Sequence, residues 1–249
     1  MQEKLVSTVT TSGFTFGHVP IADTFDQENM IGMIAIDNSG SVSGFHAELE
    51  KMLMTVTELN QKLPTKNKIM QRVTLFGDDV QELHGLQLVD QINTKDYKNK
   101  ITCGGMTALR DAVLDALEAS EQFCSQMVAA DYDATACIFI ITDGCENNSF
   151  KCRSNAVLEK KIKKLRTDEG VFTSSPIIIL IGVNMNDQTV KAELDKFAKE
   201  CGIDKFISVE DATPSSLGKL AGLISQSFSS KSQNVTSKNT QSQIQQITI

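Results

Sequence analysis

The residues best suited to chemistry stand in one short run, Asp37-Asn38-Ser39-Gly40-Ser41, which sets a carboxylate and two hydroxyls at alternate positions. Oxygen donors of this kind suit a hard cation, Mg²⁺, Mn²⁺ or Ca²⁺, rather than zinc or copper, which favour nitrogen and sulfur. The preceding residues, Met30 to Ile36, are apolar and rich in isoleucine. They read as a strand covered on both faces, as in a parallel sheet. Ligands of such sheets bind just past the carboxyl ends of the strands, where Asp37 falls. Asn-Ser-Gly-Ser is also ordinary turn chemistry, so this run by itself leaves a cation site and a plain polar turn as open alternatives.

Two further segments bear on the choice. Gly104-Gly105-Met106-Thr107 precedes apolar residues at helical spacing, Leu109, Val113, Ala116 and Leu117, which predicts a helix with Thr107 at its start. A helix N-cap is the ordinary role for such a threonine. The capping-box partner three residues on is missing, because Arg110 stands there. Ala136 to Thr142 predicts a second buried strand ending in Asp143-Gly144. Asp-Gly also signals a hairpin, yet Cys145 to Ser149 shows no alternating apolar pattern for a return strand. A functional loop is the better reading.

With these residues in place, the chain resembles the von Willebrand factor A domain family. That family's metal-ion-dependent adhesion site joins the pattern Asp-x-Ser-x-Ser to a Thr after a glycine-rich turn and an Asp at a strand end. Asp37, Ser39, Ser41, Thr107 and Asp143 match the five positions in order. Met106 departs from the pattern, since many members have a third glycine there, a change that touches loop flexibility more than ligation. The resemblance spans residues 30–228 and leaves 1–29 as an N-terminal extension and 229–249 as a flexible polar tail.

The resemblance implies that Ser39, Ser41 and Thr107 offer hydroxyl oxygens to a Mg²⁺ or Mn²⁺ ion while Asp37 and Asp143 act directly or through water. Ca²⁺, with longer bonds, fits such a compact site less well. A divalent ion with two carboxylates is formally neutral. Mg²⁺ ordinarily keeps several waters, so a coordination position stays open to an outside oxygen. In the family that oxygen comes from an Asp or Glu of a partner protein. The expectation is therefore an intracellular, metal-dependent protein–protein interaction module without catalysis of its own, working in a larger assembly.

The elements that must position these residues alternate. Helices are expected from Phe45 to Leu59, Val157 to Leu165, Val190 to Glu200 and Ser215 to Phe228, besides the one after Thr107. Strands are expected at Gln71 to Phe76, Pro176 to Val183 and Lys205 to Val209, with Leu86 to Ile92 as an alternating edge strand. Such β/α alternation predicts an α/β fold, a doubly wound and mostly parallel central sheet with helices on both faces. Gly13 to Pro20 carries aromatic residues outside the family pattern, for which packing on the sheet edge is expected.

Composition excludes several classes. The chain has 249 residues, 41% of them hydrophobic, and a formal net charge of −7. That is enough for one sizeable core, and the acidic balance argues against nonspecific nucleic-acid binding. Residues 1–12 lack a signal-peptide core, and no stretch approaches a membrane span, so a cytoplasmic location is expected. The six cysteines show no tight paired spacing and read as thiols of a reducing compartment. His18, His46 and His84 are spread apart and support no histidine metal site or triad. The competing class is a Mg²⁺-dependent phosphatase with Asp37 as nucleophile. The haloacid-dehalogenase-like family, which such an enzyme would resemble, has in its pattern a second Asp two residues on as general acid, where this chain has Ser39.

Overall fold

The computed structural model describes residues 5–21, 26–168 and 170–234. In chain order the strands are β1 (Val6–Val9), β2 (Thr15–His18), β3 (Glu28–Asp37), β4 (Ile69–Phe76), β5 (Val80–Leu88), β6 (Asp133–Thr142), β7 (Ser174–Gly182) and β8 (Lys205–Ser208). The α-helices are α1 (His46–Gln61), α2 (Leu109–Ala129), α3 (Asn155–Thr167), α4 (Gln188–Cys201) and α5 (Pro214–Asn234).

β3, the isoleucine-rich run, is the centre of an eight-stranded sheet of order β1-β2-β5-β4-β3-β6-β7-β8. Every residue from Asn29 to Asp37 is buried. Alternate side chains explain why no polar position interrupts the run. Ile31, Met33 and Ala35 enter one core with the apolar faces of α2, α3 and α4, whereas Met30, Ile34 and Ile36 enter another with those of α1 and α5. β6 divides in the same way, Ile138 and Ile140 to the first core and Phe139 and Ile141 to the second. A strand with helices over both faces has no solvent side, so it loses the polar alternation of an exposed sheet.

The five strands from β4 to β8 along this order run parallel. The chain passes from β3 to β4 on one side and, after β5 and α2, returns to β6 on the other. The carboxyl ends of β3 and β6 therefore meet where the winding reverses, the place at which open α/β sheets form a crevice. The doubly wound α/β class read from the alternation is the class observed.

Several elements differ from the expected set. The antiparallel strand occupies Val80–Leu88, and the Val89–Gln91 part of the expected edge strand is a 3₁₀ turn. β5 is not an edge either, because β2 lies against it in parallel and β1 pairs with β2. The approach is close: a Cβ on Gly85 would stand 2.3 Å from the carbonyl oxygen of Gly17. Phe14 and Phe16 of this hairpin are buried, so residues 6–18 of the N-terminal extension belong to the sheet. At the other end α5 runs past 229 to Asn234. The remainder of the expected tail, with Ile244, Ile247 and Ile249, lies outside the described residues.

One ion pair binds the hairpin side of the sheet to α2. The buried Arg72 guanidinium of β4 donates to both carboxylate oxygens of Asp115, at 2.6 and 3.3 Å, and its Nε donates to Glu82 at 2.6 Å. It also stands 5.8 Å from the centre of the Phe16 ring. Removing one member of a buried pair leaves a bare charge, whereas replacing both by apolar groups is often nearly neutral. Arg72→Leu should therefore cost about 3 to 5 kcal/mol in urea unfolding, and Arg72→Leu/Asp115→Leu should recover most of that loss. Equal losses in the single and double variants would show that the pair contributes through packing alone.

Candidate functional site

β3 delivers Asp37 fully buried at its last position. Oδ1 of its carboxylate accepts the backbone N–H of Ser39 at 2.8 Å, and Oδ2 accepts the hydroxyl of Thr142, the last residue of β6, at 2.5 Å. Past Asp37 the chain tightens into a 3₁₀ turn over Gly40–Gly44, which brings the two serines together with their oxygens 3.0 Å apart. Ser41 Oγ donates to Asp143 Oδ1 at 2.6 Å. Since a hydroxyl has one proton, Ser39 is the donor to Ser41. A hydrogen-bonded line thus runs from Ser39 through Ser41 to Asp143.

Thr107 closes the group. A Cβ placed on Gly144 would lie 3.9 Å from Thr107 Oγ1 and the same distance from Ser41 Oγ, so both hydroxyls face one small space above Gly144. Thr107 is not a helix cap. α2 starts at Leu109, its N-cap position is Ala108, and no side chain of that position caps it. The first N–H groups of α2 are satisfied from the loop after β6 instead: Glu146 accepts from Arg110 N at 2.7 Å and Ser149 Oγ from Asp111 N at 3.0 Å. That substitution leaves the Thr107 hydroxyl free of capping.

Several positioning residues were not visible in the motif. Thr142 orients Asp37, and Asn147 Oδ1 accepts the N–H of Thr107 at 2.7 Å. Asp78 accepts the N–H of Met106 at 2.8 Å, and its backbone carbonyl accepts Asn148 Nδ2 at 3.1 Å. Gly105 passes over Asp78 with φ +74°, where a Cβ would stand 2.3 Å from Asp78 Oδ2. In the sequence Gly77-Asp78-Asp79 carries only the signal of an ordinary turn. Of the histidines, His84 bonds to Tyr97 in the interior and His46 to the backbone of Ser43. No disulfide joins cysteines among the described residues.

The site is electrostatically unbalanced as it stands. Burial pushes the Asp37 carboxyl up to about 6, with the negative charge of Asp143 adding to the rise, against the lowering effect of the bonds from Thr142 and Ser39. Burial also raises Asp143. Neither carboxylate has an ion-pair partner among the described residues. No three His, Cys, Asp or Glu side chains gather at one point among them either. Two unneutralised carboxylates with three convergent hydroxyls fit a hard cation held through oxygen.

No family model and no curated protein matches the sequence. Solved structures do match in fold. A von Willebrand factor type A protein from Catenulispora acidiphila superposes with a TM-score of 0.57 at 15% identity, over 81% of this chain and 43% of that one. The fold is that of a von Willebrand factor type A domain. The PilB minor pilin from Streptococcus sanguinis gives 0.55 at 11% identity over 84% of this chain and 62% of that one. Proximal thread matrix protein 1 from the mussel byssus, with a zinc-occupied MIDAS motif, gives 0.50 at 16% identity over 82% and 47%. The chain spans less than two thirds of the length of each of these three proteins.

The raised Asp37 carboxyl makes a pH prediction. In the cation-free protein the folded state holds this proton more tightly than the unfolded chain, whose group titrates near 3.8. The resulting stability is present below about pH 4 and is lost as pH rises through about 6. The loss is on the order of 2 to 3 kcal/mol. Urea unfolding of wild type and Asp37→Asn between pH 4 and 7 in chelator should show the gap between them widening in favour of the variant as pH rises. A gap independent of pH would place the Asp37 carboxyl in its ordinary range.

Proposed function

We propose that this domain is a metal-dependent interaction module, binding Mg²⁺ or Mn²⁺ at Asp37, Ser39, Ser41, Thr107 and Asp143 and, through that cation, an Asp or Glu of a partner protein. The observation that carries the reading is the convergence of two uncompensated carboxylates and three hydroxyls at the carboxyl ends of neighbouring strands. A bound cation would neutralise the pair and keep a coordination position for an outside carboxylate. Zinc occupies the MIDAS motif of the mussel protein, so zinc belongs among the ions to be tested, although the all-oxygen donor set favours the harder ones.

A binding module accounts for the site better than a hydrolase. Asp37 is fully buried, with its carboxylate oxygens engaged by Ser39 and Thr142, a poor posture for a nucleophile that must reach phosphorus. Ser39, at the position where the general acid would stand, shares its hydroxyl with Ser41. Cysteines outside disulfides suit an intracellular setting, and no helix of the described residues is long and apolar enough to cross a membrane.

Calorimetric titration with Mg²⁺, Mn²⁺, Ca²⁺ and Zn²⁺ tests the reading. Asp37→Ala and Asp143→Ala should lose metal affinity while remaining folded, and Ca²⁺ should bind more weakly than Mg²⁺. Partner binding should vanish in chelator and in Thr107→Ala. Changing the partner's carboxylate to Ala should cost about 2 to 5 kcal/mol. Wild-type metal affinity in both Asp variants would sink the assignment.

A further inference from the structure

Large apolar side chains exposed on a folded surface are informative when they gather beside a site rather than standing singly. Two such residues stand on the segments that build this one. Met106, 47% exposed, precedes Thr107, and Phe150, 62% exposed, lies on the loop that follows Asp143. Neither is on slack chain. The N–H of Met106 is held by Asp78, and the neighbouring peptide of Thr107 is held by Asn147. Asp111 accepts the N–H groups of Phe150, Lys151 and Cys152, at 2.9, 3.1 and 2.6 Å. The next side chain along, Lys151, is pinned in turn, with Nζ on the Gly13 carbonyl at 2.6 Å and 3.9 Å from the centre of the Phe14 ring. Phe150 is therefore presented, exposed, on a backbone fixed by hydrogen bonds.

Aromatic and methionine side chains are enriched in the buried centres of protein interfaces, and here they stand on the segments of a site proposed to take a carboxylate. Charge adds a second constraint. Asp78 and Asp79 are exposed on the turn bonded to Met106 and carry no ion pair among the described residues. A cation at the site would be neutralised by Asp37 and Asp143, so it would not offset these two. A segment offering only a carboxylate would meet their negative field, and one that carries a basic side chain beside the carboxylate would complement it.

We propose that Met106 and Phe150 form an apolar shelf beside the cation site, and that the partner is a protein segment in which an Asp or Glu is flanked by an apolar side chain for this shelf and a basic one for the Asp78–Asp79 turn. This rests on the cation-dependent carboxylate binding proposed above. The shelf selects among acidic segments, and the cation supplies the common anchor.

The test uses the full chain and a library of blocked heptapeptides with a central Asp or Glu and random neighbours, selected in Mg²⁺ and again in chelator. Peptides recovered only in Mg²⁺ should be enriched in apolar and in basic neighbours. Phe150→Ser and Met106→Ser should keep the Mg²⁺ affinity of wild type and weaken the apolar-flanked peptides by about fivefold or more. Asp79→Asn should remove only the basic preference. Mg²⁺-dependent peptides with no apolar enrichment, or with one unchanged in both shelf variants, would overturn the shelf while leaving the cation reading intact. No basic enrichment, or one unchanged in Asp79→Asn, would overturn the charge component. Absence of any Mg²⁺-dependent carboxylate peptide would overturn the cation reading and the shelf with it.

Discussion

The contact on which the rest depends is the Asp37 carboxylate held between the Ser39 N–H and the Thr142 hydroxyl. It joins the ends of β3 and β6, and it exists because those strands run parallel in register, Ile36 beside Ile141. A buried carboxylate without such donors would be protonated or would unfold its surroundings. With them it remains ionisable in an interior position, raised to about 6 by burial rather than driven far higher. Ser39 and Ser41 then carry the polar line across to Asp143, so the two acids are ends of one network.

Part of the chain's acidity is used internally. Asp111 accepts three consecutive backbone N–H groups of the loop after β6, and Glu146 accepts those of Arg110, Asn148 and Ser149. Glu50 holds the N–H groups of Asn99 and Ile101, Glu118 that of Ser12, and Asp115 is spent on Arg72. These carboxylates stand where loops approach the sheet ends and helices, fixing irregular backbone that has no ladder of its own. Part of the acidity behind the net charge of −7 thus serves the scaffold. The likeness to proteins only 11 to 16% identical fits that division, since a fold tolerates wide replacement of side chains provided the covered strands and their end positions persist.

Read without coordinates, the residues determine the α/β class, the two covered strands and the five oxygen-bearing positions. Each depends on local pattern: an unbroken apolar run for a strand without a solvent face, a 3.6-residue repeat for each helix, and hydroxyl and carboxyl groups at strand and helix ends. What local pattern misses is anything decided by contact between distant segments. The β1–β2 hairpin has only four residues per strand and little alternation, and it becomes part of the sheet because Gly17 and Gly85 let two backbones approach. Val80–Leu88 is a strand because β4 and β2 take up its hydrogen bonds, although its apolar spacing is weak. Thr107 has the sequence context of an ordinary cap, and only the tertiary structure, by sending Glu146 and Ser149 to the start of α2, releases its hydroxyl toward Ser41 and Asp143. The residue types supply the oxygen atoms available to a cation; the fold sets which of them face one another, because hydrogen-bond partners tens of residues apart leave no periodic trace in the chain.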